Sequence, residues 1–254
     1  MRRLLTLALL ATGCGGTTGS ALVSFSATAS GPADATGGPI AFISGSGAHV
    51  TLTRARLHLG AVYLNQSVPT SGAAAGPCIS PGIYVGEAFG PLDIDLLSPV
   101  AQPFPVRGEG TQTAAKTAEV WLTGGDVNAD IDSTVILEVE GTAQQSERSY
   151  PFTGSVTISA NRKANVTNPA LPGASPICHQ RIVTPILVDL TPTNGGTLKL
   201  QVDPRPMFNG VDFASLGTPD GSFSLIPDDS SGAGGALYRG LHSNAAVYTF
   251  TWSP

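Results

Sequence analysis

Apolar and polar residues alternate with a period of two along most of this chain, and helical spacing is nearly absent. Successive side chains of a strand point to opposite faces, so each such run buries one face and wets the other. Val23 and Phe25 alternate with Ser24 and Ser26. In "LDIDLL", Leu92, Ile94 and Leu96 point inward, with Asp93 and Asp95 outward. "EVWL", "STVILEVEGTA" and "PFTGSVTIS" follow. Further on, Ile182, Ile186, Val188 and Leu190 are in phase, as are Leu198, Leu200 and Val202; Tyr248, Phe250 and Trp252 share the last face. One run breaks step. In "HVTLTRARLHLGAVYL", Val50 and Leu52 lie on one face and Leu57 and Leu59 on the other. A slip between Arg54 and Leu57 predicts a bulge inside one long strand, or two strands that bend there.

Turn signals such as "GPAD", "SGSG", "TGGD" and "TPDG" punctuate these runs. The Asn194-Gly195 pair, set between two alternating runs, is the strongest hairpin signal. About ten short strands with such turns predict an all-β fold, a single antiparallel β-sandwich domain over residues 21–254. Residues 217–245, rich in Gly, Ser and Asp, read as its long loop.

The N-terminus has a different character. Arg2 and Arg3 precede an apolar run from Leu4 to Ala11, then Thr12, Gly13 and Cys14. That order is a secretory signal over residues 1–13. The run falls short of the roughly 20 residues needed to span a bilayer. "ATGC" resembles the bacterial lipobox, although Ala11 stands where Leu is usual; the resemblance implies cleavage before Cys14 and a lipid on that cysteine. Residues 14–20 would then be a lipidated, Gly-rich tether. Multiply acylated anchors hold stably to membranes. Gly15 occupies the position where enteric bacteria use Asp for inner-membrane retention, which points to the outer membrane of a bacterial cell envelope.

If Cys14 is acylated, Cys78 and Cys178 remain as an even pair, for which an exported protein makes a disulfide the default and two buried thiols the alternative. The formal charge is −5, with 12% charged residues and no basic stripe. Nucleic acid is therefore not an expected partner. The expected partners are the membrane, through the lipid, and a protein or small ligand that the sequence does not name.

Candidate chemistry is sparse. There is no Gly-x-Ser-x-Gly elbow, no His-Glu-x-x-His, no phosphate loop and no dinucleotide fingerprint. His49 and His58 are nine residues apart, on opposite faces of an unbroken strand, and a bulge would reunite them. Asp93 and Asp95 share a face, as a hydrolase's paired acids would and as any solvated face does. Arg54 and Arg56 form a small basic spot. Trp121, in phase with Glu119 and Thr123, is a binding anchor if exposed. Asp126, Asn128, Asp130 and Asp132 place oxygens at every second position, as a calcium site would. An EF-hand is excluded: counted from Asp126, its Gly and Glu positions hold Ile131 and Leu137. Asp and Asn after Gly124-Gly125 also make an ordinary polar turn, the preferred reading.

The order of "HVTLTRARLHLGAVYL", "LDIDLL", "VILEVEGTA" and "LKLQVDPRPMFNGVDF" resembles the MbnP-like group of exported β-sandwich proteins over about residues 40–215. The resemblance implies a periplasmic sandwich; some members bind copper and act with a di-haem partner enzyme. The four-cysteine pattern of related proteins is missing. The sequence thus predicts a lipid-anchored, non-enzymatic binding or structural module without a cofactor. The alternatives are a copper- or calcium-associated protein and a hydrolase using the acidic strand face.

Overall fold

The computed structural model describes residues 20–67, 84–129, 131–159, 177–217 and 224–254. In chain order the elements are β1 (Leu22–Ser30), β2 (Ile40–Ile43), β3 (His49–Asn65), β4 (Tyr84–Asp95), β5 (Gln102–Pro103), β6 (Gly108–Thr111) and β7 (Ala115–Trp121). They continue with β8 (Val135–Gln145), β9 (Arg148–Thr157), β10 (Ile182–Leu190), β11 (Thr197–Val202), β12 (Ser224–Ile226), α1 (Gly232–Leu241) and β13 (Tyr248–Ser253). The all-β expectation holds. The antiparallel sandwich of about ten strands does not: among the described residues 13 strands join in one mixed sheet, ordered β12-β9-β8-β3-β4-β6-β1-β11-β13. From this path β2 and β7 branch at β3, β5 branches at β1, and β10 pairs with β7. Two pairs, β1 with β11 and β12 with β9, are parallel.

The 17-residue β3 is the reason one sheet forms. Its first half pairs with β2 and β8, and its second half with β4 and β7. One strand therefore joins pairings that the sequence pattern would divide between two layers. The bulge expected in β3 is present, between Leu52 and Arg54 rather than after Arg54. Val50 and Leu52 are buried before it, and Ala55, Leu57 and Leu59 after it. The extra residue keeps both apolar sets on the core side of one strand. A second register shift, between Leu59 and Ala61, readjusts β3 against β4.

The core is the sum of these inward faces. Phe25, Leu52, Leu57, Leu59, Leu64, Leu96, Phe152, Phe208 and Phe213 are almost wholly buried. Each such side chain stabilises by about 1.5–3 kcal/mol relative to exposure. Phe152 stands 5.1 Å from Phe213, and Trp252 meets Phe25 edge-on at 5.2 Å. Tyr248, Phe250 and Trp252 do share a face, as their alternation predicts.

Two local expectations fail for identifiable reasons. Asn194-Gly195 does make a tight turn, with Gly195 at φ +83°. It joins β10 to β11, which pair with different neighbours, and it docks on β1 instead of closing a hairpin. Ser24 N–H donates to Asn194 Oδ1, and Gly195 N–H donates to Ser24 O. The expected loop over 217–245 contains β12 and α1. Glycine costs about 1 kcal/mol against alanine inside a helix, so "GAGGALYRGL" carries no helical signal. Packing decides instead: a Cβ on Gly240 would stand 2.0 Å from the Met207 carbonyl oxygen. Among the described residues no helix is long and apolar enough to cross a membrane.

Gly240→Ala should therefore lose about 1–3 kcal/mol to overpacking, although intrinsic propensity favours alanine. Urea unfolding measures it, and a gain in stability would remove close packing as the reason for this glycine.

Candidate functional site

The pairing register gathers one group of side chains on the face of β3 opposite its core. Past Leu59, Val62 and Leu64 enter the main core, while Ala61, Tyr63 and Asn65 point the other way. Tyr63 lies opposite Glu119 of β7 on one side and Glu87 of β4 on the other, and Glu87 lies opposite Glu109 of β6. Directly paired residues share a face, with Cβ atoms about 4.5–5.5 Å apart. Four neighbouring strands thus present Glu119, Tyr63, Glu87 and Glu109 in a single row. The adjoining rows contribute Trp121, Ala61 and Phe89 on one side, and Thr117, Asn65 and Tyr84 on the other.

The rings close around Tyr63. Its centroid is 4.6 Å from Trp121, 4.8 Å from Tyr84 and 5.9 Å from Phe89, the last edge-on. Trp121 is largely buried, in a small second core with Ala61, Val127, Cys178 and Ile182, whereas Phe89 is 43% exposed. An open cleft of about 230 Å³ runs between Tyr63, Phe89, Pro91 and Trp121, with Gly124 and Gly125 at its border. A second depression, about 310 Å³, lies across Tyr84, Glu87 and Glu109.

Glu119 holds two of these rings, Trp121 and Tyr84. Its Oε2 accepts from Trp121 Nε1 at 3.1 Å and from Tyr84 Oη at 3.3 Å. Burial pushes its pKa above the ordinary carboxylate range, partly offset by the bonds from Trp121 and Tyr84 and by the nearby Asn65 amide. Asn65 is itself fully buried, yet neither amide atom makes a hydrogen bond of ordinary geometry. Burial, with Glu109 beside it, likewise raises Glu87. Tyr63 is pushed up to about 12 by burial and by the charges of Glu87 and Glu119.

The acidic loop that borders the cleft is organised as a turn. Asp126 Oδ1 accepts from Asn128 N–H at 2.9 Å; Asp132 accepts from Thr134 N–H at 2.9 Å and Gly124 N–H at 3.3 Å. Burial acts to raise Asp132, but the bonds from Thr134 and Gly124 and the charge of Arg181 hold it below the usual range. Arg181 is wholly buried, and its Nη1 donates to the carbonyls of Asp126 and Val127. Asn128 is exposed, and Asp130 lies outside the described residues. Among the described residues, no three His, Cys, Asp or Glu side chains are grouped as metal ligands.

The other sequence candidates disperse. The bulge does return His49 and His58 to the same face, but nine residues of strand separate them by roughly 30 Å. His58 Nδ1 instead meets Asp93 at 2.6 Å. Asp95 caps its own turn through Leu97 N–H, so the two outward acids serve separate contacts. Arg54 pairs with Glu138 at 2.5 Å. His242 stacks on Tyr238 at 4.4 Å. Cys178 is buried and disulfide-bonded. Its expected partner Cys78, like Cys14, lies outside the described residues. Ile182 was expected in phase with Ile186; it packs instead beside Trp121, because the β10–β7 register shifts between Val183 and Ile186.

Comparison with family models, curated proteins and solved structures returns no match. The site rests on its geometry.

Because burial holds Glu119 above the ordinary carboxylate pKa in the native state, it binds more protons there than in the unfolded chain as pH rises through that range. Stability from this group is present at low pH and falls as pH rises through that window. Glu119→Gln, which keeps an acceptor without the charge, should gain stability relative to wild type as pH increases from about 4 to 7. Thermal melts at both ends measure the difference; a gap that does not change with pH would show that Glu119 is not held in a desolvated state.

Proposed function

We propose that this chain is an exported, lipid-anchored binding module of the bacterial cell envelope, and that the cleft beside Tyr63 and Trp121 takes its ligand. The observation that carries this reading is the ring cluster. Tyr63, Phe89 and Trp121 border an open cleft, and a buried carboxylate, Glu119, holds Trp121 and the neighbouring Tyr84 by hydrogen bonds. Aromatic rings left beside an opening offer contact area with little conformational freedom to lose, and sites for small ligands are largely apolar with a few fixed polar groups. A non-catalytic role fits the use made of the acids: Glu119 orients rings, and Asp126 and Asp132 cap a turn. The N-terminal signal with Cys14 supports the envelope location, and export supports a Cys78–Cys178 disulfide.

Two measurements test the proposal. Mass spectrometry of the mature protein should find a lipid on Cys14, and an unmodified N-terminus beyond residue 14 would refute the anchor. With Trp252→Phe leaving Trp121 as sole reporter, emission should shift saturably on titration with at least one of three soluble probe classes: neutral oligosaccharides, blocked amino-acid amides or carboxylates. Phe89→Ala should weaken that response about tenfold, the loss of one aromatic contact. No shift with any class at millimolar concentration would contradict a binding cleft.

A further inference from the structure

We propose that Asn209 is a site of spontaneous modification, at which the backbone nitrogen of Gly210 attacks the asparagine side chain, and that the change loosens residues 205–213 from the turn between β2 and β3. The inference is independent of the cleft.

The chemistry needs an asparagine followed by a residue whose backbone nitrogen can reach the side-chain carbonyl carbon. Glycine serves best, because it has no Cβ and the widest range of backbone angles. The sequence holds two such steps, Asn194-Gly195 and Asn209-Gly210. All four residues are exposed. Each amide oxygen accepts from a distant backbone N–H at 3.2 Å, Asn194 from Ser24 and Asn209 from Gly45. A donor on that oxygen stabilises the charge that develops there when a nucleophile adds to the carbon. On this count the two sites are alike.

The attacking nitrogens are not. Gly195 N–H donates to Ser24 O at 2.8 Å, which holds its proton and turns the nitrogen toward β1. Gly210 N–H makes no hydrogen bond among the described residues, so solvent base can take its proton. A Cβ at Gly210 would meet only Ala236 Cβ, 3.7 Å away, so the peptide has room to turn. The step balances. Gly210 N bonds to Asn209 Cγ, the Cγ–Nδ2 bond breaks, and ammonia leaves with the proton that Gly210 gave up. Water then opens the cyclic imide. Opening at Cγ gives an aspartyl residue; opening at the main-chain carbonyl gives an isoaspartyl residue, with an extra carbon in the main chain.

Position 209 has little tolerance for that carbon. Gly45 is so close that a Cβ on it would stand 2.7 Å from Asn209 O, and Ser46 Oγ donates to Val211 O at 3.0 Å. Phe208 and Val211, on either side, are wholly buried, and Phe208 lies 5.9 Å from Phe42 of β2. A close-packed interior does not absorb an added carbon between two such anchors without moving one.

The test incubates the full mature chain at mildly alkaline pH, native and in guanidinium chloride, and follows both asparagines by peptide mass spectrometry with an enzymatic isoaspartate assay. In the native protein position 209 should react about two- to twelvefold faster than position 194, the factor that one ordinary hydrogen bond corresponds to. In denaturant the two rates should converge. Gly210→Ala, whose Cβ the structure accommodates, should slow position 209 and leave position 194 unchanged. The modified native chain should lose hydrogen-exchange protection at Gly45 and Val211. Equal native rates, a faster position 194, or a native position 209 that stays intact while the denatured chain reacts would overturn the site. Unchanged protection at Gly45 and Val211 after modification would overturn the loosening.

Discussion

A single buried guanidinium holds together the part of this protein that differs from a plain sheet. Arg181 is fully buried at the start of β10. It donates to the carbonyls of Asp126 and Val127 from Nη1 and to that of Ile158 from Nη2, at 2.8–3.1 Å. Burying a charge costs several kcal/mol unless it is well bonded, and hydrogen bonds to a charged group contribute about 1.5–3 kcal/mol each. The fork geometry of arginine is what lets one side chain reach the 123–134 loop and the end of β9 together. Its own carbonyl accepts from Leu122 N–H at 2.6 Å, and its N–H donates to Cys178 O. The loop is thereby fixed beside Trp121, with Val127 in the small core under the rings. The position of the cleft border follows from this one contact set.

How much of this was legible in the sequence depends on which neighbours each residue answers to. Strand runs with one wet face, such as Leu198, Leu200 and Val202, were readable because alternation records a single buried side. The β3 bulge was readable too, since a phase slip is a local signal. The single mixed sheet was not, because pairing partners are distant and β3 serves four of them. Tyr63 and Asn65 escaped notice for a related reason: "GAVYLN" buries both faces, and a two-sided strand shows no alternation. Trp121 with Glu119 was visible as a pair on one face, but the cross-strand row through Tyr63, Glu87 and Glu109 needs the register. Arg181 has no sequence signal at all, as nothing local distinguishes a buried arginine from a solvated one. The helix at Gly232–Leu241 is set by backbone approach, against its intrinsic propensity.

The acidic loop and the aromatic face show how similar residue types come to do different work. Asp126 and Asp132 are next to backbone N–H groups, so their charge is absorbed by the turn. Glu119 instead accepts from the Trp121 ring N–H and the Tyr84 O–H inside a desolvated layer. Hydrogen bonds and nearby charge lower one carboxyl while burial raises the other. The first arrangement makes a scaffold. The second holds two rings in place beside a cleft.

The account therefore depends most on Arg181 as the organiser of that scaffold. Hydrogen exchange on Arg181→Lys, which keeps the charge but not the fork, is the most direct test. The backbone amides of Gly124, Asn128 and Thr134 should lose protection and Trp121 emission should move to longer wavelength, with β11 and β13 amides unchanged. Loop protection and Trp121 emission both identical to wild type would contradict it.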